Sequence, residues 1–521
     1  MLLGLGGLYG LIRNAEALPI APPDVSKCEP GGAYTFRNGE VISLDVNCCP
    51  PYADVQSDYK LPTFTKPRIR PAAHRLTPEY IAKYERAIQK MKDLDVTDPD
   101  DPRGFTQQAN VHCAYCNGPY DQVNHEGIDI QVHNSWVFFP FHRWYLYFFE
   151  RIMGELIEDP DFALPYWNWD NPRGMQMPSM FDRDASPLYD LNRDQMHRPP
   201  AVVALALTNP PITNPVQIIS NNLTQMYKEM IGDVESPIDF MGNPYSDGDY
   251  PPEATEGGLP ERGSHTGVHI WTGNPENDFI EDMGNFYSAA RDPLFFAHHD
   301  NIDRMWIIWK TIPSAFPKDI NGPVVPNPDD FNAAAFMFYD EKKNLVRVKV
   351  ADCLDHTKMG YEYEHSDTPW TTYRPPQRAV PVNIEDLSKK AERGDQVFPL
   401  TLTKTMRVLV PKPTKGKADE VLVLENIISE RSKIVRFDVF INDEDDKPDE
   451  LDRAEYAGGF TQIPHKVRAA ESANVLRLNL RELYENINIA DDDFIVVTIV
   501  PHINGGDVTI GGIKIIPRVT I

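Results

Sequence analysis

What the sequence is short of removes whole classes of protein. It contains no apolar run of about 18 residues, so no membrane-spanning helix is expected. Bases are outnumbered, 51 Lys and Arg against 77 Asp and Glu, and the net charge of -26 opposes the concentrated basic face that nucleic acid requires. Large low-complexity tracts are missing, and 41% hydrophobic residues with 47 prolines describe a folded, loop-rich chain rather than a disordered or fibrous one. Cysteine is scarce beyond the first quarter, which holds Cys28, Cys48, Cys49, Cys113 and Cys116 and leaves Cys353 alone. Adjacent cysteines do not readily bridge each other, so Cys48 and Cys49 are expected to reach Cys28 and Cys113, in an oxidising compartment. The repeated Glu-x-x-His pairs of a carboxylate-bridged di-iron bundle are also missing among the histidines.

What is present divides the 521 residues into more than one domain, since one hydrophobic core rarely serves so long a chain. Met1 to Ile12 resembles the apolar core of a translocation signal, with Ala15-Glu16-Ala17 as its small-residue cleavage site, so residues 1–17 read as a targeting remnant ahead of a mature start near Leu18. Residues 18–75 read as an irregular arm pinned by disulfides. Thr77-Pro78-Glu79 then opens a helix whose apolar face carries Tyr80, Tyr84, Ile88 and Met91. Further helices are expected over about 142–157, 265–271 and 293–310. From 373 to 396 the chain is polar and proline-bearing, a linker in which Lys389, Lys390 and Arg393 would be open to proteolysis. Beyond it, short β-branched runs at 406–410, 421–424, 434–441, 494–500 and 508–516 predict an antiparallel β-sandwich over 397–521. The acidic stretch 443–452 reads as a solvated turn.

The fourteen histidines are unevenly spread. One group comprises His112, His133 and His142; the other comprises His265, His269, His298 and His299. His265 and His269 are four apart, which on a helix sets both imidazoles on one face. Asp303 follows His299 by four, suited to orient a ligand or to close a salt bridge. A lone histidine is ordinarily a core or surface residue, but three near apolar and aromatic stretches in each of two groups point to metal. Sets of three imidazoles suit copper, and zinc also accepts them. Two coppers so held would bind oxygen between them and take two electrons from a catechol.

The stretches HCAYC, QVHNSWVFFPFHRWYLYFFERI, HTGVHIWTG and DPLFFAHHDNIDRMWIIWK resemble the two copper-binding regions of plant polyphenol oxidases. The resemblance covers essentially the whole chain, including Arg436-Phe437-Asp438-Val439 in a block like that family's shielding domain. It implies a mainly α catalytic domain at 18–372, with a four-helix bundle holding two copper ions, and a C-terminal β-sandwich that keeps the enzyme a zymogen. By position, His112, His133 and His142 would bind copper A, and His265, His269 and His299 copper B, with His298 a neighbour. The implied disulfides are Cys28 to Cys49 and Cys48 to Cys113, and a thioether would join Cys116 to His133. Phe286 matches the aromatic residue over the copper, where it would stack on a substrate ring. Glu261 matches the acid that holds a water able to accept a phenolic proton. Thr266 stands where members good at hydroxylating monophenols often have asparagine, which favours diphenol oxidation. A loop at Gly458 to Ile463, with flexible glycines and exposed apolar residues, is the candidate to cover the copper mouth. Tyr361 and Tyr363 would mark the end of the catalytic domain, in reach of Arg68 or Arg70. The implied activity is oxidation of o-diphenols to o-quinones with O2 as co-substrate and a small phenolic as partner, in the plastid, within the thylakoid lumen. The alternatives are a tyrosinase, an oxidase for one specialised phenolic such as a chalcone or lignan, and a dicopper oxygen carrier.

Overall fold

The computed structural model describes residues 18–37, 40–53, 55–314, 328–375, 382–413, 415–416, 419–443, 445, 450–464 and 473–518. The expected targeting remnant, 1–17, lies outside them. Six helices matter to the site: α1 (Pro78–Thr97), α2 (Phe105–Cys116), α3 (Phe138–Leu156), α4 (Pro215–Tyr227), α5 (Thr266–Thr272) and α6 (Leu294–Thr311). α1 begins as its residues dictate, with Thr77 Oγ1 accepting the Tyr80 amide at 3.3 Å and Pro78 in the first turn. α3 and α6 are buried nearly all round, which is how a helix apolar on every face sits at the centre of a domain. The helix expected at 265–271 is preceded by a single π turn, Glu261–His265, of the kind that gathers at functional sites.

The two central helices are tied together by charge. Arg143 on α3 donates to Asp303 on α6 at 2.6 Å, both buried, and its guanidinium lies 3.7 Å from the Trp306 ring centroid. Asp303 therefore closes a salt bridge, and it also accepts from the hydroxyls of Tyr361 (2.6 Å) and Tyr363 (2.8 Å). Those tyrosines lie on β2 (Tyr361–Tyr363), paired in parallel with β1 (Arg68–Arg70) of the arm. Arg70 reaches Glu150 (2.8 Å), Asp300 (2.6 Å) and Tyr363 (3.0 Å), and Arg68 reaches Glu150 at 2.7 Å. The arm is less irregular than its sequence suggests, because Gly31–Arg37 and Glu40–Val46 pair as an antiparallel ribbon. Disulfides Cys28–Cys49 and Cys48–Cys113 fasten it, the second directly to α2.

The C-terminal unit is a sandwich of two sheets. One has the order β3 (Glu392–Arg393), β5 (Met406–Pro411), β10 (Phe494–Ile503), β7 (Val435–Ile441), β8 (Tyr456–Gln462). The other has the order β4 (Leu400–Thr401), β11 (Val508–Ile510), β6 (Glu420–Ser429), β9 (Ala473–Asn479), with β12 (Gly512–Pro517) also paired to β6. Four expectations need correction. The run 508–516 is two strands parted at Gly511. The linker read at 373–396 ends earlier, because Leu387 is already buried and β3 already pairs with β5. Gly458 to Gln462 is an edge strand rather than a flexible loop. Its glycines serve close approach: Gly458 sits at φ +141° against Leu478, and a side chain on Gly459 would strike the Asp438 carboxylate. Of the acidic stretch 443–452, residues 444 and 446–449 are outside the described set, and its end is docked rather than solvated, with Asp452 accepting from Gln217 (2.7 Å) and Ser220 (2.6 Å) on α4.

Candidate metal centre

Five stretches of chain bring the histidines together. α2 supplies His112, the segment before α3 supplies His133, α3 supplies His142, the π turn and α5 supply His265 and His269, and α6 supplies His298 and His299. All are buried. Potential ligand atoms of His112, His133 and His142 lie within 4.8 Å of one another, as do those of His265, His269, His298 and His299. The groups adjoin, the His142 and His299 rings stacking at 4.3 Å.

Hydrogen bonding settles which ring nitrogens face inward. Nδ1 of His112 donates to the Phe286 carbonyl (3.1 Å), that of His142 to Phe138 (2.8 Å), that of His265 to Glu261 (3.0 Å) and that of His269 to Met283 (2.8 Å). A neutral imidazole with Nδ1–H so committed carries its lone pair on Nε2. The Nε2 atoms of His112, His142 and His265 are buried with no hydrogen-bond partner, and those of His269 and His299 face each other at 3.2 Å. Buried lone pairs left open in this way fit metal ions, with the carbonyls orienting each ring from outside. His298 differs, since its Nδ1 accepts from the Trp169 indole at 3.1 Å and the ring proton of the neutral form falls on Nε2. Burial also keeps the rings neutral, pushing His142 down to about 3 and His269 to about 4, with His112, His133, His265 and His299 well below the ordinary value.

The remaining predicted residues lie around this centre. The Phe286 ring is tilted over His133, centroids 4.4 Å apart. Glu261 is buried, which raises its carboxyl well above the ordinary range; one oxygen accepts the Asn134 amide at 2.6 Å and the other is unpartnered. Thr266 Oγ1 donates to the Glu261 carbonyl at 2.9 Å. Cys116 is a buried free thiol whose carbonyl accepts from Gln131, and the same Gln131 side chain takes the His133 amide at 2.9 Å. Ile463, just past β8, packs with Ile270 and Phe286. A small cavity beneath it is lined by Asn134, Arg262, Thr266, Phe286 and Thr461.

Sequence reasoning missed Asn134, Gln131, the carbonyls of Phe286 and Met283, and Phe295, whose ring lies 4.1 Å from His299 and 4.8 Å from His112. Only Asn134 carried a signal: it follows a candidate ligand and is a residue type tolerant of the left-handed backbone it adopts, φ 62°.

Three family models match the chain: the common central domain of tyrosinase over 102–312, the polyphenol oxidase middle domain over 326–376, and the chloroplastic polyphenol oxidase C-terminal domain over 398–517. A chloroplastic polyphenol oxidase of Malus domestica is 45% identical, covering 99% of this chain and 88% of that protein. The chloroplastic catechol oxidase B of Solanum tuberosum is 44% identical with the same coverage. The solved structure of latent apple tyrosinase superposes with a TM-score of 0.79 at 44% identity, covering 89% of this chain and 99% of that one.

Proposed function

The chain belongs to the plant polyphenol oxidase family, and from that premise we propose how its side chains divide the work of a copper oxidase converting o-diphenols to o-quinones with reduction of O2 to water. The observation that carries the reading is the pair of adjoining, buried imidazole groups in which Nε2 of His112, His142 and His265 is left without a partner. His112, His133 and His142 hold one copper and His265, His269 and His299 the other. His298 is read as a neighbour, which the indole its Nδ1 accepts from supports. Bound copper supplies the electron exchange with O2 and the diphenol; everything else falls to the protein. Phe286 offers its ring face to the phenol. Glu261, with one oxygen left unpartnered, takes up the phenolic proton through a water. Thr266 spends its hydroxyl on the helix backbone, so it is not free to orient that water, which favours diphenols over monophenols. A thioether joins Cys116 to His133, supported by their shared hold on Gln131, and a peptide mass short of two hydrogens is the check.

The β-sandwich keeps the enzyme latent by setting Ile463 against Phe286. The relatives are chloroplastic, which supports a plastid enzyme; the two disulfides favour the thylakoid lumen within it. Among the described residues no helix is long and apolar enough to cross a membrane. Oxygen uptake by the copper-loaded chain, cut in the linker, tests the reading. Uptake with catechol and little with the matching monophenol is expected; equal uptake with both would make it a tyrosinase, and none with either would leave a specialised phenolic or oxygen carriage.

A further inference from the structure

Arg262 follows Glu261 in the π turn and lines the cavity over the metal centre together with Phe286 and Thr266. A half-buried guanidinium normally has a carboxylate partner. Among the described residues Arg262 forms no salt bridge, and its one hydrogen bond is a long one, from Nη1 to the Thr255 carbonyl at 3.4 Å. The acids that act on it electrostatically, Asp239, Asp233 and Glu229, are all engaged elsewhere. Asp239 pairs with Arg518 at 3.0 Å and caps the turn at Ser236. Asp233 pairs with Lys228 at 3.2 Å. Glu229 accepts from the Ser264 amide at 2.9 Å and from Gln225 at 2.7 Å, and burial pushes its carboxyl up to about 8, so it is mostly neutral at pH 7. Among the described residues Arg262 is thus a cation without a counter-ion, covered by Thr461 and Ile463 of the β-sandwich and uncovered when that unit leaves.

We propose that Arg262 binds the carboxylate of an acidic phenolic, so that the preferred substrates are o-diphenols bearing a short carboxylate-tipped side chain opposite the hydroxyls. The proposal rests on the diphenol oxidase reading and names its substrate class. A ring stacked at Phe286 would direct such a side chain along the cavity wall, where the guanidinium offers a two-pronged donor. Neutral diphenols would fill the same ring position without that contact.

The test uses the copper-loaded full chain, cut in the linker with both pieces retained, and compares kcat/KM for dihydrocaffeate and for its methyl ester. The acid should be preferred about tenfold, a ratio equivalent to about 1.4 kcal/mol. In Arg262→Gln the ratio should fall to near one, and Arg262→Lys should keep part of it. Calorimetry with phenylpropionate and phenylpropanamide, which are not oxidised, reads binding directly, and the acid's advantage should vanish in Arg262→Gln. Equal kcat/KM for acid and ester in the unmodified protein, or a preference that survives Arg262→Gln, would overturn the assignment. If catechol itself gave no oxygen uptake, the diphenol oxidase reading would fail, and the calorimetric comparison would still decide the role of Arg262.

Discussion

Phe286 does two things at once: its carbonyl fixes the tautomer of His112 while its ring covers His133. On the proposed reading, one backbone segment therefore sets both a metal-facing nitrogen and the surface a substrate ring would meet. His298 and His299 are adjacent yet differ in which nitrogen is committed, and this separates them experimentally. His298→Gln should retain both coppers and His299→Gln should lose the second, as read by metal analysis of the purified proteins. Glu261→Gln should keep its copper and lower kcat/KM for catechol by roughly a hundredfold, the size of a general acid-base contribution, measured by oxygen uptake. The two histidine groups were legible in the sequence because clustered histidines in apolar surroundings are rare and chemically specific, whereas the choice of His299 over His298 came from the resemblance to plant polyphenol oxidases. Gln131 was not legible, since a role made of one oxygen and backbone amides leaves almost no trace in residue type, and Asn134 left only its tolerance of a positive φ.

At the scale of elements, the pairing of α3 with α6 rests on Arg143 and Asp303. Asp303→Ala leaves a buried guanidinium without its carboxylate and should cost about 3–5 kcal/mol in urea unfolding. Burial alone would raise the carboxyls of Asp303 and Glu150, but Arg143 and Arg70 beside the first and Arg70 and Arg68 beside the second hold both below their ordinary values. For an acid with a lowered folded pKa, the extra stability is present above the unfolded value, about 4, and is lost as the pH falls through the folded one. Acid unfolding followed by circular dichroism should begin at higher pH in Arg68→Ala, where Glu150 keeps only Arg70. Four of the six helices and most sandwich strands could be read from periodicity, but α2 and α4 were not expected. Strands β8 and β9 could not be read so, because Gly458 and Gly459 carry the composition of a turn while serving as close-packing positions, and the buried face of Ala473–Asn479 begins with a polar residue, Asn474, before Leu476 and Leu478.

The whole molecule is held latent by a polar interface with a small apolar centre. Glu235 of the catalytic unit gathers Asn479, Arg481 and Arg518 of the sandwich, Glu253 takes Arg431, and Asn209 donates to His502 through its amide (3.1 Å) and its side chain (2.9 Å). Pairs of this kind are screened by salt. Glu235→Ala in the uncut chain should raise catechol oxidation about fivefold over the uncut parent, an effect of about 1 kcal/mol, measured at low ionic strength. The β1 and β2 pairing carries a different consequence. Arg70 and Tyr363 meet across 293 positions, so the charges beneath the central helices are completed only by closing a loop of nearly the whole catalytic unit. The helical body thus gains its last internal support late in folding, whatever order its helices form in.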